Sequence, residues 1–170
     1  MPLPIVGVMG PGEGATSQDC KLAHALGTQI AQQGWVLLTG GREAGVMAAA
    51  SQGAAEAGGL TVGILPTGDR TQMSPHVQIP IMTGMGSGRN VINILTAQAI
   101  VACGMGLGTA SEVALALKAQ TPVVLLQPDG MSWEFFQQVG DRQNADRYLH
   151  RAETVGEAIA TLQRRILPCL

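Results

Sequence analysis

The chain contains one stretch that indicates its fold most directly, GMGLGTASE at residues 104–112. An apolar run at 97–103 leads into this stretch, and a run with helical periodicity at 113–119 leads out of it, so we predict a strand, a glycine-rich turn and a helix. The helix would direct free N–H groups and the positive end of its dipole at the turn, an arrangement typical of phosphate sites. Thr109 adds a hydroxyl donor. Glu112 falls in the predicted first helical turn, where a carboxylate is also an ordinary helix-start residue.

The composition of the 170 residues favours one folded domain, because 46% of them are apolar and only 13% are charged. A net charge of −2, no basic block and only five aromatic residues argue against nucleic acid and membrane surfaces as partners. No signal peptide and no apolar run of about 18 residues are present. No metal-ligand spacing occurs, and Cys20, Cys103 and Cys169 are expected to be free thiols in a reducing, cytoplasmic setting.

Predicted strands and helices alternate along the chain. We expect strands at 4–9, 35–39, 60–65, 97–103, 122–126 and 147–152, and a weaker one at 77–82 that Pro80 interrupts. Helices are predicted from an N-cap at Ser17 to before Gly34, and at 46–57, 90–96, 113–119 and 155–166. Residues 67–75 are predicted to form a loop, and 127–146 to be irregular with one helical turn at 133–139. This alternation predicts an α/β fold with a doubly wound, mostly parallel sheet and helices on both faces.

Four glycine turns follow predicted strands, starting at Gly10, Gly40, Gly84 and Gly104. Right-handed crossovers would place all four turns at one edge of the sheet, where such folds bind ligands. The sequence lacks the GxxxxGK[ST] motif of P-loop proteins, and its first turn reads GxGxG rather than GxGxxG, which disfavours a standard NAD site. We therefore predict a crevice for a phosphate-bearing ligand of another kind.

Arg89 is the strongest candidate cation, because a forked guanidinium in a glycine turn at a helix start can bind a phosphate or carboxylate. Arg42 lies in a comparable turn. For both arginines, the alternative is a salt bridge or a solvated side chain. The predicted ligand-binding set comprises Gly10, Pro11, Gly12, Gly40, Gly41, Arg42, Arg89, Asn90, Gly106, Leu107, Gly108, Thr109 and Glu112.

Several segments, in this order, resemble one protein family: TGGREAGVM at 39–47, GAAEAGG at 53–59, GILP at 63–66, GRN at 88–90 and GTASEVALALK at 108–118. The family is that of the molybdenum cofactor (Moco) carrier proteins and their bacterial homologues, which are relatives of the LOG-type phosphoribohydrolases. The likeness covers roughly residues 5–126. It implies a single Rossmann-like ligand-binding domain over 1–170, a homo-oligomer (a dimer or a tetramer), and a crevice for a phosphate-bearing pterin or nucleotide.

The hydrolases carry the motif PGGxGTxxE, and by position Glu112 matches its glutamate while Arg89 matches the upstream arginine. This chain departs from that motif, since it has Gly104 and Met105 in place of Pro-Gly, and Asn90 where the hydrolases typically have lysine. The resemblance therefore implies Moco binding and carriage rather than an enzyme, with molybdoenzymes or Moco-synthesis proteins as partners. The alternative is a hydrolase that releases the free base of a nucleoside 5′-monophosphate, with Glu112 and Arg89 as catalytic residues. On that alternative, Glu112 at a helix N-terminus is expected to be ionised.

Overall fold

The computed structural model describes residues 2–166, and its strands form one seven-stranded sheet. The strands are β1 (Ile5–Met9), β2 (Val36–Thr39), β3 (Thr61–Leu65), β4 (Ile79–Met82), β5 (Ala99–Cys103), β6 (Val123–Leu126) and β7 (Leu149–Ala152). The helices are α1 (Ser17–Gln32), α2 (Gly45–Glu56), α3 (Asn90–Thr96), α4 (Leu107–Lys118), α5 (Gly130–Arg142) and α6 (Val155–Ile166), with 3₁₀ turns at Gly86–Arg89 and Asp146–Tyr148. Strand and helix alternate elsewhere, and β4 follows β3 through a loop, as the predicted strands and loop in this region imply.

The sheet is parallel throughout, with the strand order β4-β3-β2-β1-β5-β6-β7. Helices α1, α2 and α6 pack on one face, through buried residues such as Leu26, Ala50 and Leu162. Helices α3, α4 and α5 cover the other face, through residues such as Ile94 and Val113. The predicted doubly wound α/β fold is thus confirmed. The order of the strands reverses between β1 and β5, and the turns that follow these two strands meet at the carboxyl edge there.

The region predicted to be irregular contains a full helix, α5, so that prediction was wrong. Asp129 caps α5, because its carboxylate accepts a hydrogen bond of 2.8 Å from the Ser132 N–H. Phe136 and Gly140 form its buried side. Two glycines and many polar residues hide the periodicity of this segment, and only packing against the sheet makes the helix favourable.

Two predicted helix starts also differ from the structure. The N-cap of α1 is Thr16 rather than Ser17, since the Thr16 hydroxyl accepts from the Asp19 N–H and Asp19 accepts from the Thr16 N–H. Helix α4 begins at Leu107 instead of 113, which places Glu112 in the second turn rather than the first. The glycine and small polar residues at its start have no apolar periodicity, so the sequence pattern begins later than the helix does.

The remaining elements agree with prediction more closely. Strand β4 lies at the edge of the sheet, where Pro80 is tolerated because one side of an edge strand makes no ladder hydrogen bonds. Cys20 and Cys103 are free thiols, and Cys169 lies outside the described residues. Within residues 2–166, no helix is both long and apolar enough to cross a membrane.

Candidate functional site

A crevice of about 360 Å³ opens at the carboxyl edge of the sheet, beside the point where the strand order reverses. Residues from four chain segments line it, because the turns after β1, β2 and β5 and the 3₁₀ turn before α3 meet there. Of the predicted binding set, the crevice is lined by Gly10, Pro11, Gly12, Gly40, Arg42, Arg89, Asn90, Gly106, Leu107, Gly108, Thr109 and Glu112. The structure thus brings together residues that lie up to about a hundred positions apart in sequence.

Gly41 is the one predicted residue that the described lining does not include. It has a φ of +76°, and a Cβ at this position would lie 3.0 Å from the Cα of Gly63 on β3. Its role is therefore to let the β2–α2 turn pass close to the neighbouring strand. The predicted binding set did not include Glu13, Met47 or Ser87, which also line the crevice, although all three lie in or next to the glycine turns from which that set was drawn.

The amino end of α4 faces this crevice. Its N-cap is Gly106, and no described side chain caps it, in contrast to the Asp129 cap of α5. The first N–H groups of such a helix have no intrahelical acceptor. Thr109 is 2% exposed, and among residues 2–166 its hydroxyl oxygen has no hydrogen-bond partner. Backbone donors, a helix dipole and a hydroxyl without a partner among the described residues are the groups that bind anions at helix starts.

Arg89 ends the 3₁₀ turn before α3 and is 9% exposed. Its Nη1 donates to Asn90 Oδ1 at 3.0 Å, and Asn90 Nδ2 donates to the Ser111 hydroxyl on α4 at 2.8 Å. Burial lowers the pKa of Arg89, against the opposing effect of the nearby Glu112 carboxylate. In the described part of the chain, Nε has no partner. Arg89 is thus a desolvated and only partly satisfied cation, which an anionic ligand would stabilise.

Gly40 makes room for this guanidinium. A Cβ at position 40 would lie 2.8 Å from Arg89 Nη2 and 2.7 Å from the sulfur of Met47. Either contact would displace one of the two side chains. The missing Cβ at position 40 therefore lets Arg89 and Met47 occupy their observed positions beside the crevice.

Glu112 lies on α4, lines the crevice and is 7% exposed. Its Oε1 accepts a hydrogen bond of 2.8 Å from Nδ2 of Asn93, a fully buried residue on α3. Burial raises the pKa of Glu112 to about 6, although the Asn93 hydrogen bond and the Arg89 charge act in the other direction. The sequence predicted that the helix end would favour the charged form of this carboxyl. Glu112 instead lies one turn further into α4, and desolvation has the largest effect on its pKa.

This raised pKa predicts a pH-dependent cost to stability. A carboxyl whose pKa is higher in the folded state stabilises the fold at low pH, and that contribution is lost as the pH rises through about 6. Glu112→Gln removes the ionisation but keeps an oxygen for Asn93. We expect this variant to be more stable than the parent at pH 8 by up to about 2 kcal/mol, and equally stable at pH 4. Urea unfolding at both pH values measures the difference.

The matched control for that experiment is Glu43→Gln, which makes the same change at an exposed position beside the crevice. It should alter the free energy of unfolding by less than about 0.5 kcal/mol at either pH. An equal stability change of Glu112→Gln at pH 4 and pH 8 would contradict the assignment of the raised pKa to Glu112.

Arg42 connects three loops at the mouth of the crevice. Its Nη2 pairs with Glu13 Oε1 at 2.5 Å, and its Nε donates to Gln72 Oε1 at 3.0 Å. The loop predicted at 67–75 is further attached to the β2–α2 turn, since the Glu43 N–H donates to the Gln72 carbonyl and the Ser74 N–H to the Gly41 carbonyl. Arg42 therefore forms the salt bridge that the sequence left as its alternative role, while its side chain still lines the crevice.

These features define a class of protein, the Rossmann-like α/β proteins, with a crevice at the strand-order reversal. The chain belongs to the SLOG cluster4 family, whose model matches residues 3–159. It is also 41% identical over 128 residues to an uncharacterised protein of Archaeoglobus fulgidus, with 75% of this chain and 83% of that protein covered.

Two solved structures are similar over almost the whole chain. The molybdenum cofactor binding protein from Rippkaea orientalis is 50% identical with a TM-score of 0.93, and 98% of this chain and 99% of that chain are covered. The molybdenum cofactor carrier protein from Chlamydomonas reinhardtii is 46% identical with a TM-score of 0.89, with the same coverage of 98% and 99%. These similarities confirm the resemblance to Moco carrier proteins that the sequence motifs indicate.

Proposed function

We propose that this protein binds and carries Moco, and that the crevice holds the cofactor through its phosphate. The observation that carries the proposal is the free amino end of α4, with the buried and unpartnered Thr109 hydroxyl beside it in the described chain. The Moco-binding and Moco carrier proteins similar to this chain support the same ligand.

The electrostatics of the crevice support a phosphate. Arg89 is buried without a carboxylate in direct contact among the described residues, so its charge lacks the partner that buried cations usually have. A phosphate bound at the α4 end would provide that partner and would accept from the backbone N–H groups at the same time. The proposed contacts to phosphate come from Gly108, Thr109 and Arg89.

Assembly and delivery form part of the same proposal. We infer a single ligand-binding domain that works as a homo-oligomer and delivers Moco to molybdoenzymes or to proteins of Moco synthesis. Exposed apolar side chains on α3 support a docking surface, since Val91 is 44% and Leu95 is 71% exposed. Light scattering during size-exclusion chromatography measures the oligomeric state directly.

The test of carriage is pterin content. The protein is expressed in cells that make Moco, purified without oxygen and then oxidised, so that the released pterin is measured by its fluorescence. We expect roughly one pterin per crevice, since a buried, charge-assisted site should retain its ligand through purification. The same preparation from cells unable to make Moco provides the background. Folded protein without pterin above that background would overturn the proposal.

One observation favours a second function. Glu112 and Arg89, the residues that match the hydrolase motif, line the same crevice. A carboxylate beside a bound ribose could stabilise positive charge or orient a water during cleavage of the N-glycosidic bond. Incubation with nucleoside 5′-monophosphates, followed by chromatography for free base, tests this function. Absence of base from every common monophosphate excludes it, whereas turnover that Glu112→Gln abolishes would support it.

A further inference from the structure

Glu112 has unused hydrogen-bonding capacity in the wall of the crevice. Although it is 7% exposed, the described residues give its carboxylate one hydrogen bond, from Asn93. An ionised carboxylate offers about four lone-pair positions. Burying such a group with most of them unfilled is unfavourable, so the carboxylate has acceptors available to a ligand that enters the crevice.

Arg89 does not occupy the free acceptor positions of the Glu112 carboxylate. Its charge acts on Glu112, but within residues 2–166 no salt bridge joins the two side chains, and Arg89 Nη1 donates to Asn90 instead. The two charges therefore remain separately available inside one crevice. An anionic group of a ligand can bind at Arg89 and the α4 end, while a group rich in N–H donors can bind at Glu112.

We propose that Glu112 recognises the pterin ring of the ligand, by accepting the two parallel N–H donors of its 2-amino-4-oxopyrimidine edge. The inference rests on the proposed function and adds the basis of ligand selectivity to it. Two carboxylate oxygens facing two N–H groups form a bidentate, charge-assisted pair. Asn93 is a positioning residue in this arrangement, since it is fully buried and its Nδ2 holds Glu112 Oε1 from the side of α3.

The position of Glu112 fits a ligand with two different ends. Glu112 lies five residues beyond Leu107, where α4 begins, and three beyond Thr109, so its Cα is about 7.5 Å from the start of the helix and about 4.5 Å beyond that of Thr109 along the α4 axis. Helical side chains tilt toward the amino end, which brings the carboxylate back toward the crevice. The phosphate and the ring edge would thus contact the same helix, one turn apart.

A matched pair of stable probes tests the proposal. The monophosphates of 6-hydroxymethylpterin and 6-hydroxymethyllumazine differ at one position, where the pterin has an amino group and the lumazine an oxo group. Titrated at pH 8, the parent protein should bind the pterin monophosphate roughly tenfold or more tightly than the lumazine, because an oxo group facing a carboxylate loses a donor and adds repulsion. In Glu112→Gln this ratio should fall to about one or below, since an amide pairs one acceptor with an N–H donor and therefore suits the oxo group of the lumazine better than the amino group of the pterin.

Two controls separate recognition of the ring from binding of the phosphate. Glu43→Gln, at an exposed position outside the described crevice lining, should keep the preference for the pterin. Inorganic phosphate should compete with both probes in the parent protein and in Glu112→Gln alike, which also shows that the variant is folded.

The outcomes distinguish this inference from the proposed function. Equal affinity of the parent protein for both probes, with inorganic phosphate still competing, overturns the role of Glu112 and leaves the phosphate site intact. A pterin preference that persists in Glu112→Gln overturns it as well. If neither probe binds and no pterin co-purifies, both the inference and the proposed function are wrong.

Discussion

Arg89→Ala is expected to lower the pterin content of the purified protein by at least about tenfold, since a lost charge-assisted hydrogen bond costs about 1.5–3 kcal/mol. The guanidinium is buried, donates to Asn90 through Nη1, and borders the free end of α4. Without it, the phosphate would lose both a pair of donors and its counter-charge. Pterin fluorescence after anaerobic purification and oxidation measures the change.

Two further variants make this result specific. Arg89→Lys keeps the positive charge but not the planar fork, so we expect a pterin content between those of the alanine variant and the parent. Arg142→Ala removes the same charge from α5, on an exposed position outside the described crevice lining, and should retain the full content. If Arg89→Ala unfolds at the same temperature as the parent and still carries its full pterin, Arg89 does not bind the phosphate.

Gly106→Asp is expected to change stability and ligand binding in opposite directions. Gly106 has an extended backbone with a φ of −149°, which any residue can adopt, and a Cβ there would lie 3.6 Å from Pro11, an ordinary contact. An aspartate at this N-cap would accept from the free N–H groups of α4 and stabilise the fold by about 1 kcal/mol, or roughly 2–4 °C. The same carboxylate would occupy the phosphate position and repel the ligand.

The measurements are thermal unfolding without ligand and binding of inorganic phosphate. We expect the affinity of Gly106→Asp for phosphate to fall by at least about tenfold, because the aspartate carboxylate would occupy the position of the phosphate and repel it. Gly106→Ala is the matched control, since it adds the Cβ but neither a charge nor a cap, and it should retain binding. Loss of stability together with loss of binding in the aspartate variant would show that the α4 end is not a free anion site.

Comparison of α5 with α6 shows what the sequence predicts well. Helix α6 was predicted at its observed bounds, Val155–Ile166, because Thr154 and Glu157 have the spacing of a capping box at the start of the helix. Only one turn of α5, at 133–139, was predicted, because its glycines and polar residues carry no such signal and its buried side depends on contact with the sheet. The start of α4 was missed for the same reason, and with it the place of Glu112 in the second turn.

Most residues that line the crevice could be predicted from the sequence, but the contacts among their side chains could not. Strand-to-helix turns in a parallel sheet must meet at one edge, so glycine turns that are distant in sequence could be assigned to one site. The partners of each side chain could not be assigned in that way. Arg42 pairs with Glu13 and Gln72, and Glu112 is held by Asn93, and neither arrangement has a signature in the local sequence.

The sequence by itself determined the alternation of strands and helices, the glycine turns and the family, because these depend on local periodicity and on motifs that are contiguous in the chain. Only the tertiary structure decided which polar groups are buried together and which of them lack partners. The raised pKa of Glu112, the desolvation of Arg89 and the Thr109 hydroxyl, which has no partner in the described part of the chain, all result from burial by distant segments. Desolvation depends on every neighbour in space, and neighbours in space are set by packing rather than by order along the chain.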